Sequence, residues 1–184
     1  MSRPKLRHRA TTAKAMSNTG TPVLLSLGSN VGDSVSNILA AIDALQTQGA
    51  VANVTLSRWY RTEPVGYADQ PMFVNVAVAA TTVLPAVELV QACKHVERFV
   101  GRTLTERWRQ REIDVDVILV GDVIVNDGDV CVPHPRMHER MFVLQPSNDV
   151  APTMIHPGLG KSVQQLMNDC ADSAAVECFD PNTA

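Results

Sequence analysis

Asp114 and Asp116 stand one residue apart at the head of the run Ile113-Asp114-Val115-Asp116-Val117-Ile118-Leu119-Val120. Side chains of an extended strand alternate between faces, so a strand here turns both carboxylates to one side, their Cα atoms about 6.5 Å apart. That spacing lets both reach a pair of divalent cations about 3.5–4 Å apart. Oxygen-only donors suit Mg²⁺, which takes its remaining ligands from water and substrate phosphates. Arg98, Arg102, Arg107, Arg109 and Arg111 lie just upstream, and guanidinium forks match phosphate oxygens. An Asp-x-Asp pair can equally be a polar strand end facing water or paired with arginine. The apolar strand behind it and the arginines before it favour metal-assisted phosphoryl chemistry, a class that includes nucleases, polymerases and sugar-nucleotide transferases.

The elements that must position this pair follow from periodicity. The acidic face continues through Ile118 and Val120 and the opposite face carries Ile113, Val115, Val117 and Leu119, which predicts a central strand covered on both sides at its far end, with the acidic end opening at the edge of the core. Val23 to Leu27 reads as a first strand ending in a glycine turn, Gly28 to Asp33. Asp33 or Ser34 then caps a helix with Val35, Ile38, Leu39, Ile42 and Leu45 on its inner stripe, stopped by Gly49. A long strand is expected over 51–61 and another from Phe73 to Ala80. Between them Thr62 to Pro71 is too rich in Pro and Gly for regular structure, and long loops in compact domains are often functional. Pro85 to Gly101 reads as a second helix, with Leu89, Val90, Cys93, Val96 and Val100 facing inward. Short strands are expected over 123–125 and 130–132, and helical turns over 141–145 and 162–168. Strand, helix, strand, strand, helix, strand is the ferredoxin-like order, an α+β sandwich whose mainly antiparallel sheet has helices packed on its faces.

The 184 residues fit one domain, and 45% hydrophobic with 19% charged residues is an ordinary globular composition. No run of 18 apolar residues suggests a membrane span. The formal charge of −3 conceals an asymmetry: the first 20 residues hold five of the 16 basic residues and no acid, leaving 11 basic against 19 acidic residues. That balance argues against a nucleic-acid binder. Residues 1–20 are expected to be a disordered basic extension, residues 21–170 the folded domain and residues 171–184 a frayed tail. An organelle transit peptide has a similar acid-free start, and Met16 is a second candidate start. Cys93, Cys131, Cys170 and Cys178 show no metal-ligand spacing, which predicts reduced thiols in a cytoplasmic protein.

Several motifs in order carry a resemblance: Leu27-Gly28-Ser29-Asn30-Val31-Gly32-Asp33, Tyr60-Arg61-Thr62-Glu63-Pro64, Asp69-Gln70-Pro71-Met72-Phe73-Val74-Asn75, Glu97 with Gly101-Arg102, Arg107-Trp108 with Arg111, the Asp114/Asp116 strand, and Val132-Pro133-His134-Pro135-Arg136-Met137 with Arg140 and Phe142. Together they resemble 6-hydroxymethyl-7,8-dihydropterin pyrophosphokinases of folate biosynthesis, collinearly from about residue 23 to residue 168. The resemblance implies pyrophosphoryl transfer from ATP to the pterin's hydroxymethyl group, two Mg²⁺ ions on Asp114 and Asp116, and a monomer acting on small molecules. It implies phosphate contacts from Arg102, Arg111 and Arg140, and nucleotide contacts from Glu97, Arg107, Trp108, Val117 and His134. For the pterin it implies Thr62, Pro64, Tyr67 or its neighbours, Phe73, Asn75 and Phe142. Departures fall on the ATP side: Arg109-Gln110 replaces Gly-Pro, Leu104 replaces an arginine, Lys94 stands where a glutamine can occur and Pro135 replaces an aromatic. A pterin-binding paralogue with weakened ATP turnover is therefore the first rival, and another Mg²⁺-dependent phosphoryl or nucleotidyl transferase the second.

Overall fold

The computed structural model describes residues 20–63, 70–101 and 112–183. Its main sheet is antiparallel and six-stranded. β1 (Thr21–Ser29) and β4 (Phe73–Thr82) form the centre, β5 (Asp114–Val120) lies outside β1, and β2 (Ala52–Leu56) and β3 (Trp59–Thr62) both pair with β4. β10 (Val176–Phe179) extends the sheet beyond β3. With β2 and β3 taken together, the order is that of the ferredoxin-like sandwich expected above.

Helices α1 (Ser34–Thr47) and α2 (Ala86–Val100) cover one face, burying Ile38, Leu45, Leu89, Cys93 and Val96 against Leu25, Leu27, Val76, Val78, Val115 and Val117. Asp33 caps α1 by accepting from Ser36 N at 3.1 Å, and Gly101 ends α2 at φ 114°, a conformation glycine adopts without a Cβ clash. The opposite face is covered by α3 (Met141–Val150) and α4 (Val163–Asp169), which bury Val143, Leu144, Val163 and Leu166 against Leu24, Ala77, Ile118 and Leu119. Two short hairpins complete the chain path: β6 (Val125–Asp127) with β7 (Val130–Val132) lies between β5 and α3, and β8 (Ile155–His156) with β9 (Lys161–Ser162) lies between α3 and α4.

Several expectations change, and the short strand expected over 123–125 forms instead as β6 over Val125–Asp127. Beyond Asp116 the β5 strand is buried on both sides, as its composition requires, yet it is an outer strand of the sheet, because helix cover rather than strand pairing buries it. Its alternation breaks at Ile118: Leu24 pairs with Leu119 and Leu25 with Val117, so Ile118 is an extra residue. Beyond this bulge Leu119 faces α3 and α4, whereas Val120 joins the α1/α2 side. The strand expected over 51–61 is divided. At Ser57 the hydroxyl accepts from Ala77 N at 2.9 Å and donates to Arg58 O at 2.7 Å, while Arg58 N donates out of the ladder to Asp149 Oδ2 at 3.2 Å. Finally, the tail that was expected to fray pairs along β3 as β10.

Candidate active site

The sheet register brings the candidate residues onto one face. Gly28 of β1 lies between Asn75 of β4 and Asp114 of β5, and Ser26 lies between Ala77 and Asp116. Directly opposed residues share a face, so Asn75, Gly28 and Asp114 form a row across three strands, on the side that α3 covers. Two strand spacings separate its ends, about 10 Å. Phe73 is two residues from Asn75 and pairs with Thr62, which adds both to this face. Thr62 and Asn75 are buried, and the Asn75 amide donates to Thr62 Oγ1 at 2.8 Å. That bond satisfies the buried hydroxyl and sets which way the amide points. Gly28 belongs to the strand rather than to a turn, and it leaves the floor of this row low. A Cβ there would meet Asn75 Oδ1 at 2.9 Å and Phe73 Cδ1 at 3.9 Å.

Beside the acidic end of the row opens a cavity of about 420 Å³. Glu97, Asp114, Asp116, Val117, His134 and Arg140 line it, together with Lys94 and Pro135. Glu97 is 4% exposed and accepts from Val115 N at 2.9 Å. A carboxylate at that depth requires such a partner, and the bond ties the last turn of α2 to the outer edge of β5, between the two aspartates. Burial, with the Arg140 charge adding to it, pushes the His134 pKa down to about 4, leaving a neutral imidazole near pH 7. Its Nδ1 accepts from Arg136 N at 3.2 Å, so the ring proton sits on Nε2 as a donor. Burial and Arg136 also lower the Arg140 pKa, against Asp116 and Asp114, which raise it. The Arg140 guanidinium lies 5.6 Å from the centroid of the Phe142 ring, within cation–π range. Behind the site Cys93 is held inert, its thiol pushed up to about 12 by burial and then by the charges of Glu97 and Asp116.

Two clusters thus emerge from the sequence candidates. Glu97, Asp114, Asp116, Val117, His134 and Arg140 meet at the cavity, whereas Thr62, Phe73, Asn75 and Phe142 lie outside its lining, on or near the adjoining α3 side of the sheet. Pro64, Tyr67, Arg102, Leu104, Arg107, Trp108, Arg109, Gln110 and Arg111 lie outside the described residues. Sequence reasoning missed Val90, Asp129 and Cys131, which also line the cavity. Val90 had an apolar helical signal but was assigned to the core, and the β6–β7 hairpin carries no periodicity that would bring Asp129 and Cys131 here.

No group of three or more histidine, cysteine, aspartate or glutamate side chains that could hold a metal occurs among the described residues. Two hard carboxylates sharing a strand face fit a cation that completes its shell with water and phosphate, as Mg²⁺ does.

Residues 24–152 match the sequence model of the family 7,8-dihydro-6-hydroxymethylpterin-pyrophosphokinase. A Bacillus subtilis protein, 2-amino-4-hydroxy-6-hydroxymethyldihydropteridine pyrophosphokinase, is 39% identical over 126 residues, 68% of this chain and 75% of its own length. The Pseudomonas aeruginosa protein of the same name is 36% identical over 148 residues, covering 80% of this chain and 91% of that one. In Dictyostelium discoideum, folic acid synthesis protein FOL1 is 38% identical across 90% of this chain, which spans only 25% of that longer protein. The fold is shared with solved Plasmodium falciparum HPPK-DHPS, at TM-score 0.63 and 14% identity over 82% of this chain and 44% of the solved one.

Proposed function

This chain belongs to the 7,8-dihydro-6-hydroxymethylpterin pyrophosphokinase family, and from that premise we propose how its residues divide the reaction. The enzyme transfers the pyrophosphoryl group of ATP to the hydroxymethyl group of 6-hydroxymethyl-7,8-dihydropterin in folate synthesis. The hydroxymethyl oxygen bonds to the β-phosphorus and loses its proton. The bond from that phosphorus to the α–β bridging oxygen breaks, and AMP leaves with the electron pair.

The observation that carries the division is the row Asn75–Gly28–Asp114, which sets an amide and a carboxylate on one face about 10 Å apart. A fused, hydrogen-bonding heterocycle held at Asn75 directs its substituent over Gly28 toward the aspartates. Asn75 meets the heterocycle edge, Thr62 keeps the amide oriented, and Phe73 and Phe142 supply aromatic surface. Asp114 and Asp116 would hold Mg²⁺, two ions, which would supply charge neutralisation on the triphosphate and help activate the attacking hydroxyl. His134 Nε2–H donates to the nucleotide, and Arg140, half-buried between Arg136 and the two aspartates, takes a phosphate oxygen. Glu97 acts through Val115, holding the strand that carries the metal ligands. Arg102, Arg107, Trp108 and Arg111 complete the phosphate side on the strength of the motif resemblance.

The test is AMP release from ATP and Mg²⁺ with and without 6-hydroxymethyl-7,8-dihydropterin, with Asp116→Ala as control. Pterin-dependent AMP that vanishes in the variant is expected. Pterin binding without AMP would instead identify a binding paralogue.

A further inference from the structure

We infer that the C-terminal segment from Cys170 to Phe179 is a positioning clamp for the pterin pocket, with Asp172 as its positioning residue. This rests on the assignment of the pterin to Thr62, Asn75 and Phe142 made above. After α4 the segment runs outside regular structure to Asp172, whose two oxygens are engaged separately. Oδ2 accepts from Met141 N at 2.9 Å and Oδ1 accepts from Ala174 N at 3.0 Å.

Met141 is the first residue of α3, and Arg140, which precedes it in an extended conformation, makes no side-chain cap bond of its own. The opening amide of a helix has no partner within the helix. Here that partner comes from 31 residues further along the chain. The bond therefore fixes the point at which the chain turns from Arg140 into the helix that carries Phe142.

Beyond Ala174 the same segment becomes β10 and pairs with β3, placing Val176 opposite Thr62 and Cys178 opposite Tyr60. Without it β3, only four residues long, would be an open edge. Arg61 closes the far end, its guanidinium 4.1 Å from the centroid of the Phe179 ring. One short segment thus grips both sides of the pocket: the strand whose Thr62 orients Asn75, and the start of the helix whose second residue is Phe142. The separation of these walls decides how well a flat ring is held, and it is set from outside the pocket.

The experiment uses the full chain with Asp172→Ala, Asp172→Asn and Asn75→Ala, measuring kcat, the KM for each substrate and the melting temperature. Loss of an N-terminal cap is worth about tenfold in an equilibrium. Asp172→Ala is accordingly expected to raise the pterin KM by up to about tenfold, with a smaller rise in the ATP KM through Arg140, the residue just before the released amide. Asp172→Asn keeps one acceptor oxygen and is expected to recover part of that loss. An unchanged pterin KM, or equal rises in both KM values tracking the melting temperature, overturns the clamp. Asn75→Ala separates the two levels of the argument. If it raises the pterin KM and Asp172→Ala does not, the pocket stands and the clamp falls; if neither does, the pocket assignment itself has failed.

Discussion

A methyl group added at Gly28 would stand 2.9 Å from Asn75 Oδ1, and the amide cannot retreat without breaking its bond to Thr62. Gly28→Ala should therefore raise the pterin KM by about tenfold or more, since a lost buried hydrogen bond and a displaced ring together amount to about 1–3 kcal/mol. The fold should survive, because the clash is with a side-chain tip and not with backbone. Steady-state kinetics alongside circular dichroism checks this, and a normal KM would show that the row is not a ligand floor. His134 offers a pH test. Its folded pKa of about 4 lies below the ordinary 6.5, so between these values the unfolded chain binds the extra proton. Its contribution to stability is complete above pH 6.5 and is lost as pH falls toward 4. The His134 ring resonances should titrate near pH 4, and His134→Gln should flatten that part of the acid destabilisation. Titration near the ordinary histidine value would show that burial and Arg140 do not hold the ring in its neutral form.

At the scale of elements, the Glu97–Val115 bond locks a helix end to a strand edge. Glu97→Gln keeps the acceptor and should retain stability, whereas Glu97→Ala leaves a buried amide without its partner and should cost about 1–3 kcal/mol in urea unfolding. Equal stability of the two variants would show that the strand edge does not depend on this bond. A second lock joins β3 to α3. Asp149 accepts from Arg58 Nη2 at 2.6 Å, from Arg58 Nε at 3.1 Å and from the Tyr60 hydroxyl at 2.8 Å. Arg58 is largely exposed, so its ion pair contributes little through water. Tyr60 is 1% exposed, so Asp149→Ala should destabilise by about 1–3 kcal/mol, mainly through the stranded hydroxyl. Tyr60→Phe made together with Asp149→Ala should then recover much of that loss, and an unrelieved double variant would place the energy in the ion pair instead.

For the molecule as a whole, the core is two apolar layers on either side of one sheet, and the candidate metal ligands lie at its margin rather than within it. Chelation should therefore abolish turnover and leave the fold intact. With EDTA the melting temperature is expected to move by no more than about 2 °C, because a cation held by two carboxylates and solvent contributes little to folding compared with a closed structural site. A collapse of the melting transition on chelation would mean that the metal holds the sheet together. No helix among the described residues is long and apolar enough to cross a membrane.

Local chemistry alone made much of this protein legible. Alternation placed Asp114 and Asp116 on one face, the helical stripes of 34–47 and 86–100 were readable from their apolar spacing, and Asp33 and Gly101 marked a start and a stop. These features depend on residues close in the chain, and the ordered motifs added the family. Tertiary structure decided what depends on partners distant in sequence. The bulge at Ile118 exists because β1 and the helix layers on both faces must be satisfied at once. The break at Ser57 requires Asp149, 91 residues from Arg58. Gly28 reads as a turn glycine until Asn75 is placed beside it, and a tail with no periodic signal becomes a strand because β3 has hydrogen-bonding groups left to pair. Short-range patterns determine which elements form; long-range hydrogen bonds and packing determine which side chains those elements bring together.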